Sequence, residues 1–427
     1  MCTYRFRNTV RCEEPALPRG EFCILHSPLP DNEESEEFKR LNALKENKVN
    51  EKVRNGDFNF EGAQLLEVNF ARTKIEGGEP DHSYLNFADA VIRKSVTFEG
   101  AEIGLPVSFE DAQIGEHAVF AEANLRGHVW FEGAKLEGDA NFRSAVLEKD
   151  ARFNEVKIAG NAWFEGTKIV GEAYFEKAEI GGKAWFERAE IGEDAVFESC
   201  DIGKDAWFAN AEIGGELWLD KARIGGDAWF EGARLNGALI RLYDLKLKGK
   251  LSFKNATFKL PRVQEEACRA AKRICEAMDN REDADYHFYR EMTARRTLRV
   301  QNALQKKGFG KITAIFELIS VLIEWLLADL TCKYGSDWKR PIYLWVAVIL
   351  GCAALYWAGG GIKSAYTSGV PSFAESLYYS IVTITTLGYG DYYPKPGFFQ
   401  YLAQFEALFG VFMWAMLIAV FARKYMR

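Results

Sequence analysis

Between residues 58 and 258, large apolar side chains return every 11 positions. Phe87, Phe98, Phe109 and Phe120 begin a column that runs to Phe208 and continues as Leu219 and Phe230. A second column follows five residues behind, from Ile103 and Ile114 through Leu125 and Leu136 to Ile224 and Leu235. A small residue stands two positions before each large one, as Ala162 before Phe164 and Ala178 before Ile180. Alternation at spacing two is extended backbone with one face inward. The unit Ala-x-Phe-x-x-Ala-x-Ile-Gly-x-x therefore predicts a solenoid. The Gly after Ile is expected to supply a left-handed corner. Trp163, Trp185, Trp207 and Trp229 recur at 22, or two units, which predicts four sides per turn and one outward aromatic column. Trp130 and Trp218 fall at the same repeat position on the opposite side. Fourteen units give seven turns, roughly 34 Å of rod at ~4.8 Å per turn.

The flanking pattern is different. Residues 31–57 are charged, with Glu33, Glu34, Glu36 and Glu37 around Ser35, and predict a solvated helix or linker. Residues 261–308 predict two helices, 265–278 and 282–305, around an Asp279-Asn280 turn. Within 312–340, Thr313, Glu317, Ser320 and Glu324 line one helix face opposite Ile315, Phe316, Ile319 and Leu322, which predicts an amphipathic helix lying in a membrane interface. Residues 342–362 carry no charge and 398–422 only Glu406, so each is long and apolar enough to span a bilayer.

The 11-residue units resemble pentapeptide repeats, which implies a right-handed, four-sided β-helix over 58–258. Between the two spans, Thr386-Leu387-Gly388-Tyr389-Gly390 resembles the selectivity filter of potassium channels. Motif and context together imply an all-α, two-span pore-loop domain over 341–427, with a pore helix at 373–384 and a filter at 386–390. The resemblance implies a homotetramer in which potassium ions are held by the carbonyls of Thr386, Leu387, Gly388 and Tyr389 and by the Thr386 hydroxyl. Carbonyls that all point one way need backbone that only Gly adopts easily, hence Gly388 and Gly390. Tyr378, Tyr379 and Val382 are expected to support the filter from behind, Val382 standing where the family often has an acid. Asp391 is expected at the outer mouth. Gly410 and Met416 are hinge or gate candidates, with close helix packing the other reading of Gly410. Glu406 is costly in a span and is expected to meet a polar partner near the pore helix.

Composition narrows the function classes. With 48% hydrophobic and 27% charged residues, the chain is neither disordered nor membrane-embedded throughout. The net charge of −7 argues against a nucleic-acid partner, and none is expected. Residues 87–237 hold 29 acids against 16 bases, about −13, so a rival reading is a membrane-anchored interaction protein of the DNA-mimicking pentapeptide kind. A weakly selective cation channel is a second rival. No enzymatic function, voltage sensor or dinucleotide-binding loop is expected.

Lys333, Lys339 and Arg340 precede the first span, and Arg423, Lys424 and Arg427 follow the second. The positive-inside rule puts both termini and the solenoid in the cytoplasm of a plasma-membrane protein. The basic run Arg295, Arg296, Arg299, Lys306, Lys307 and Lys311 suits anionic lipid. Finally, Cys2, Cys12, Cys23 and His26 in residues 1–30 suit tetrahedral zinc. Their spacing resembles the plant zinc module named for a Trp-Arg-Cys tripeptide, without its DNA-binding role. Cys200, Cys268, Cys275, Cys332 and Cys352 read as packing residues.

Overall fold

The computed structural model describes residues 1–18, 20–76, 84–307, 310–366 and 369–425. Residues 77–83 of the expected solenoid and Gly308 of the expected linker lie outside the described residues, as do the side chain of Lys424 and all of Arg427. The chain divides into two compact units, Met1–Glu291 and Met292–Arg427.

The first unit is a multi-turn parallel β-solenoid. Among the described residues, thirty-five two-residue strands, from Gln64–Leu65 to Thr257–Phe258, form four parallel sheets of nine, nine, nine and eight strands. Each strand pairs with the fourth one along, so one turn has four sides. Ala162 pairs with Ala184 and Ile158 with Ile180, which is the expected step of 22. Among the described residues there are eight complete turns plus three strands rather than seven, because turns whose inner Phe60, Phe70 and Phe253 fall off the 11-residue spacing extend the stack at both ends. The step is longer at both ends: 27 or 28 where Gln64 pairs with Val91 and Val68 with Val96, and 23 where Leu217 pairs with Ile240 and Ala228 with Leu251.

The inner Phe residues form two stacks that meet edge to face. Phe153 and Phe175 are 4.9 Å apart and nearly parallel, while Phe164 meets Phe175 at 5.3 Å and 88°. Each fully buried ring contributes roughly 1.5–3 kcal/mol. The four Trp of the outward column stack at 5.2–5.4 Å, with Arg143 over Trp163 at 4.1 Å and Lys250 over Trp229 at 3.9 Å. Trp130 and Trp218 share the sheet formed by the other even-numbered strands.

The corner chemistry corrects the expectation. The left-handed residue is not the Gly after Ile but the position two after Phe, occupied by Gly100 (φ 61°), Asp111 (φ 53°) and Asn210 (φ 57°). There the carbonyl of Phe98 accepts from Ala101 N–H at 3.0 Å and closes a turn with positive φ at its third residue. The Gly after Ile answers a different demand. A Cβ on Gly225 would lie 2.1 Å from the carbonyl oxygen of Gly203, one turn earlier.

Both rod ends are covered. At the start, residues 1–30 and helix α1 (Glu36–Arg54) pack onto the first turns, so the expected charged linker is a docked helix. Ser35 caps it by accepting from Phe38 N–H, and Arg7 pairs with Asp89, Glu110 and Asp111 at 2.6 Å each. At the far end, α2 (Pro261–Ala277) buries Val263, Ala267, Cys268, Ala271 and Cys275. The start of α3 (Arg281–Gln305) lies with it: Asp283 pairs with Lys254, and Glu291 with Lys272 at 2.7 Å. The expected helical linker is thus in part an end cap. Cys200 is buried in the solenoid core.

In the second unit, Glu324 and Asp329 pair with Arg299 and Arg296, and Glu317 with Lys306 at 2.7 Å. Arg296, Arg299 and Lys306 of the basic run expected to face lipid are therefore committed to internal ion pairs. The amphipathic segment is α4 (Gly310–Glu324), with Ile312, Ile315, Phe316, Ile319 and Leu322 exposed. It does not continue to 340: a π-helical turn, Trp325–Asp329, follows, and Lys333 and Tyr334 turn left-handed at φ 48° and 54°. Among the described residues, two helices are apolar and long enough to cross a membrane: an outer helix, Lys339–Ala358, and an inner helix, Phe398–Tyr425. The outer helix ends four residues short of the expected 362 because Gly359, Gly360 and Gly361 break it, with Gly360 at φ 53° and Gly361 closed on by the Phe399 ring. Ile362–Ser364 then pairs antiparallel with Tyr392–Pro394.

His287 yields a pH prediction. It is fully buried in the far cap with no hydrogen-bond partner for either ring nitrogen among the described residues. Burial lowers it to about 4, Asp283 opposing and Arg290 and Lys254 assisting. The unfolded chain takes up the proton below about 6.5 and the folded chain does not, so stability is full above that pH and falls between 6.5 and 4. The loss reaches ~3 kcal/mol. In thermal melts of the full chain, His287→Met is expected to flatten that pH dependence.

Candidate functional site

The segment between the two long helices builds one site. Ser372 and Glu375 form a reciprocal cap that starts a short helix, Phe373–Ile384, the segment read above as a pore helix. The Glu375 carboxylate also accepts from the Tyr392 hydroxyl at 2.8 Å. At the other end, the Thr383 carbonyl accepts from Thr386 N–H and the Val382 carbonyl from Leu387 N–H, each at 3.0 Å. The chain then turns left-handed at alternate residues: Thr386 (φ 60°), Gly388 (φ 57°) and Gly390 (φ 79°). Gly meets this without cost, whereas Thr386 holds a conformation disfavoured for a β-branched residue. Its hydroxyl donates to the Thr385 carbonyl at 2.7 Å.

Residues 386–390 are all exposed in the single chain, and a Cβ at Gly388 or Gly390 would meet nothing within 4 Å. Val382 and Tyr379 are buried behind them, Tyr379 meeting Tyr356 edge to face at 5.0 Å. Tyr378 is exposed at 39%, its hydroxyl directed to the Asp391 carboxylate. Asp391 is half-buried and its carbonyl accepts from Ala365 N–H at 2.8 Å, tying the end of the segment to the strand after the outer helix.

Two inner-helix residues have specific surroundings. Glu406 is fully buried and meets Tyr356 at 2.9 Å and Ser380, the polar contact expected of it. Gly410 is buried against the end of the pore helix, where a Cβ would sit 1.8 Å from the Ile384 carbonyl oxygen. Close packing therefore accounts for this glycine. Met416 is half-buried on the same helix.

A second cluster stands in the first unit. Cys2, Cys12, Cys23 and His26 are all buried, with their ligand atoms within 4.8 Å of one another. Cys12 and Cys23 sulfurs are 3.9 Å apart, and His26 Nδ1 is 3.5 Å from Cys2 Sγ and 3.1 Å from Cys23 Sγ. His26 Nε2 donates to the Glu61 carbonyl at 2.9 Å, which leaves Nδ1 as the lone pair facing the sulfurs. Tyr4 stacks on the ring at 4.0 Å. Burial pushes the Cys12 thiol up to about 12 and lowers His26, so thiolates here need a cation beside them. Lys45 is buried too, donating to the carbonyls of Ile24, Leu25 and Ser27 at 2.6, 3.1 and 2.7 Å, and burial lowers it to about 7.

Lys45, Tyr4, Tyr356 and Ser380 carry no sequence motif. Lys45 lies in a run of ordinary helix residues, and only its fixed position on α1 brings it under the Cys23–His26 turn. Tyr356 and Ser380 gain a role only where the three helices meet.

Comparison with known families agrees with this division. Residues 343–427 match an ion-channel family model, and residues 131–179 and 175–223 match the pentapeptide-repeat model. No curated protein and no solved structure matches the chain. The chain is a fusion of a two-span ion-channel domain to a pentapeptide-repeat β-solenoid, and hence a membrane protein. Both matched families are of non-enzymatic kinds.

The contact at Gly410 separates hinge from packing. Gly410→Ala drives a methyl into the Ile384 carbonyl, while Gly351→Ala in the outer helix meets nothing within 4 Å. The first is expected to lower the thermal midpoint of the detergent-solubilised protein by several degrees, for an overpacking cost of ~1–3 kcal/mol, and the second to leave it unchanged.

Proposed function

We propose that four copies of this chain surround one pore and conduct potassium ions across the plasma membrane, with the solenoid on the cytoplasmic side serving assembly or regulation. The backbone of residues 386–390 carries this reading. Alternating hand turns successive carbonyls to one side, giving a strip of oxygens that replaces the water of a bare cation. One strip is a single wall, and four around an axis enclose the ion. Leu387 and Tyr389, exposed in the single chain at 57% and 67%, are where neighbouring copies would pack. Asp391 at the mouth concentrates cations. Non-helical backbone at membrane depth is tolerated because Val382 and Tyr379 back it with protein. The basic residues Lys333, Lys339, Arg340 and Arg423 at the same ends of the two helices favour cytoplasmic termini. Eight free cysteines suit a reducing compartment. Lys307 and Lys311 remain as the basic groups best suited to anionic lipid.

In liposomes holding the purified full chain, potassium is expected to pass and sodium to be excluded by a large factor. Gly388→Val is expected to abolish the flux. Tight vesicles, or equal passage of both ions, would reject potassium selectivity.

The N-terminal cluster is read as a zinc site. A tetrahedral ion about 2.3 Å from each sulfur needs sulfurs roughly 3.8 Å apart, close to the separation of Cys12 and Cys23. Cys2, Cys12, Cys23 and His26 would hold the metal, and the ion would fasten residues 1–30 over the first solenoid turns. Elemental analysis is expected to find one zinc per chain, lost in Cys23→Ser, with chelation lowering the thermal midpoint.

A further inference from the structure

A carboxyl group inside a membrane span is retained only where protein surrounds it with polar partners. Glu406 is such a group, at 0% exposure. Its two oxygens reach different helices: one accepts from Tyr356 of the outer helix at 2.9 Å, the other from Ser380 of the pore helix. The Ser380 hydroxyl also lies 2.9 Å from the Ile349 carbonyl of the outer helix, and the Cys352 thiol adjoins the carboxyl group. Three helices therefore converge on one side chain.

One helical turn further, Gly410 abuts the last carbonyl of the pore helix. The inner helix thus holds the pore helix at its middle through a carboxyl–hydroxyl bridge and at its end through backbone contact. What the pore helix holds in turn is the filter segment. Leu387 and Thr386 hang from the carbonyls of Val382 and Thr383, two and three residues past Ser380. Tyr378 meets Asp391, and Glu375 meets Tyr392, at the other limb of the same segment. A displacement of the pore helix moves both limbs.

We propose that Glu406 is a selectivity-determining positioning residue: the Tyr356–Glu406–Ser380 bridge sets the height and tilt of the pore helix and, through it, the spacing of the filter carbonyls. The Val382 side chain, buried behind the filter segment, has no polar atom to offer, and Glu406 supplies polar bracing from the inner helix. The carboxyl group itself touches no ion. This inference rests on the potassium-channel reading above.

The test uses the full chain in liposomes, reading the ratio of potassium to sodium flux alongside tetramer content by native electrophoresis. Glu406→Leu is expected to keep a potassium flux but reduce the ratio about tenfold, the size of a lost buried hydrogen bond. Glu406→Gln, which can still bond both hydroxyls, is expected to retain most of it. Ser380→Ala and Tyr356→Phe each remove one arm and are expected to lower the ratio less, with no further loss when combined with Glu406→Leu. A tetrameric Glu406→Leu with the wild-type ratio overturns the proposal. If that variant does not fold, wild-type ratios in both Ser380→Ala and Tyr356→Phe overturn it. Wild-type vesicles with no potassium flux overturn the channel reading and this proposal together, whereas flux with unchanged variants overturns only the proposal.

Discussion

Polypeptide does not readily alternate between right- and left-handed conformations, and five consecutive residues, 386–390, are held in that state. Thr386 resists it most, being β-branched at φ 60°. The contacts of the channel domain are arranged around this demand. The pore helix presents two C-terminal carbonyls to the start of the segment, and Tyr378 and Ala365 meet Asp391 at its end. Behind it lie Val382, Tyr379 and the buried Tyr356, and behind those the inner helix closes at Gly410. The short pairing of Ile362–Ser364 with Tyr392–Pro394 joins the outer helix to the far side. Each contact reduces the freedom of a segment too irregular to hold itself.

The solenoid meets the opposite problem. Its backbone is wholly regular, and its polar groups are satisfied from turn to turn, as when Phe164 N–H donates to the Trp185 carbonyl at 2.7 Å. Such a stack has no natural end, and an open end would expose both the Phe core and unpaired strand edges. The chain covers the first end with the cysteine–histidine segment and α1, and the second with α2 and the start of α3. Asp283 and Glu291 fasten the second cover through Lys254 and Lys272, and buried His287 makes that cover sensitive to acid.

Charge is used differently in the two units. On the rod, acids and bases one turn apart form exposed pairs, such as Lys157 with Glu179 at 2.8 Å, and such pairs contribute little to stability. Around α4 the pairs are less exposed and link separate helices, with Arg296 shared between Asp329 and the Tyr334 hydroxyl, and Arg423 of the inner helix donating to the Tyr334 carbonyl. The left-handed turn at Lys333 and Tyr334 is thus held to the end of the inner helix.

The repeat of 11, the stacked Trp column, the pore helix and the two apolar helices were all legible along the chain, because each depends on residues that are neighbours in sequence or recur at fixed spacing. The four ligand candidates at the N-terminus were legible by residue type, though not the segment's seat on the rod. Other features required the fold. Gly225 looks like a corner residue, yet its smallness answers a carbonyl 22 residues away, while the left-handed corner falls to polar residues such as Asp111 and Asn210 that carry no strong signal. Lys45 reads as a surface lysine until α1 places it beneath three carbonyls. Glu406 announces only that it needs company; that its partners are Tyr356 and Ser380 was decided by the convergence of three helices. Local periodicity and motif are written in adjacent residues, but the partners of a buried polar group are chosen by distance in space, which only the folded chain defines.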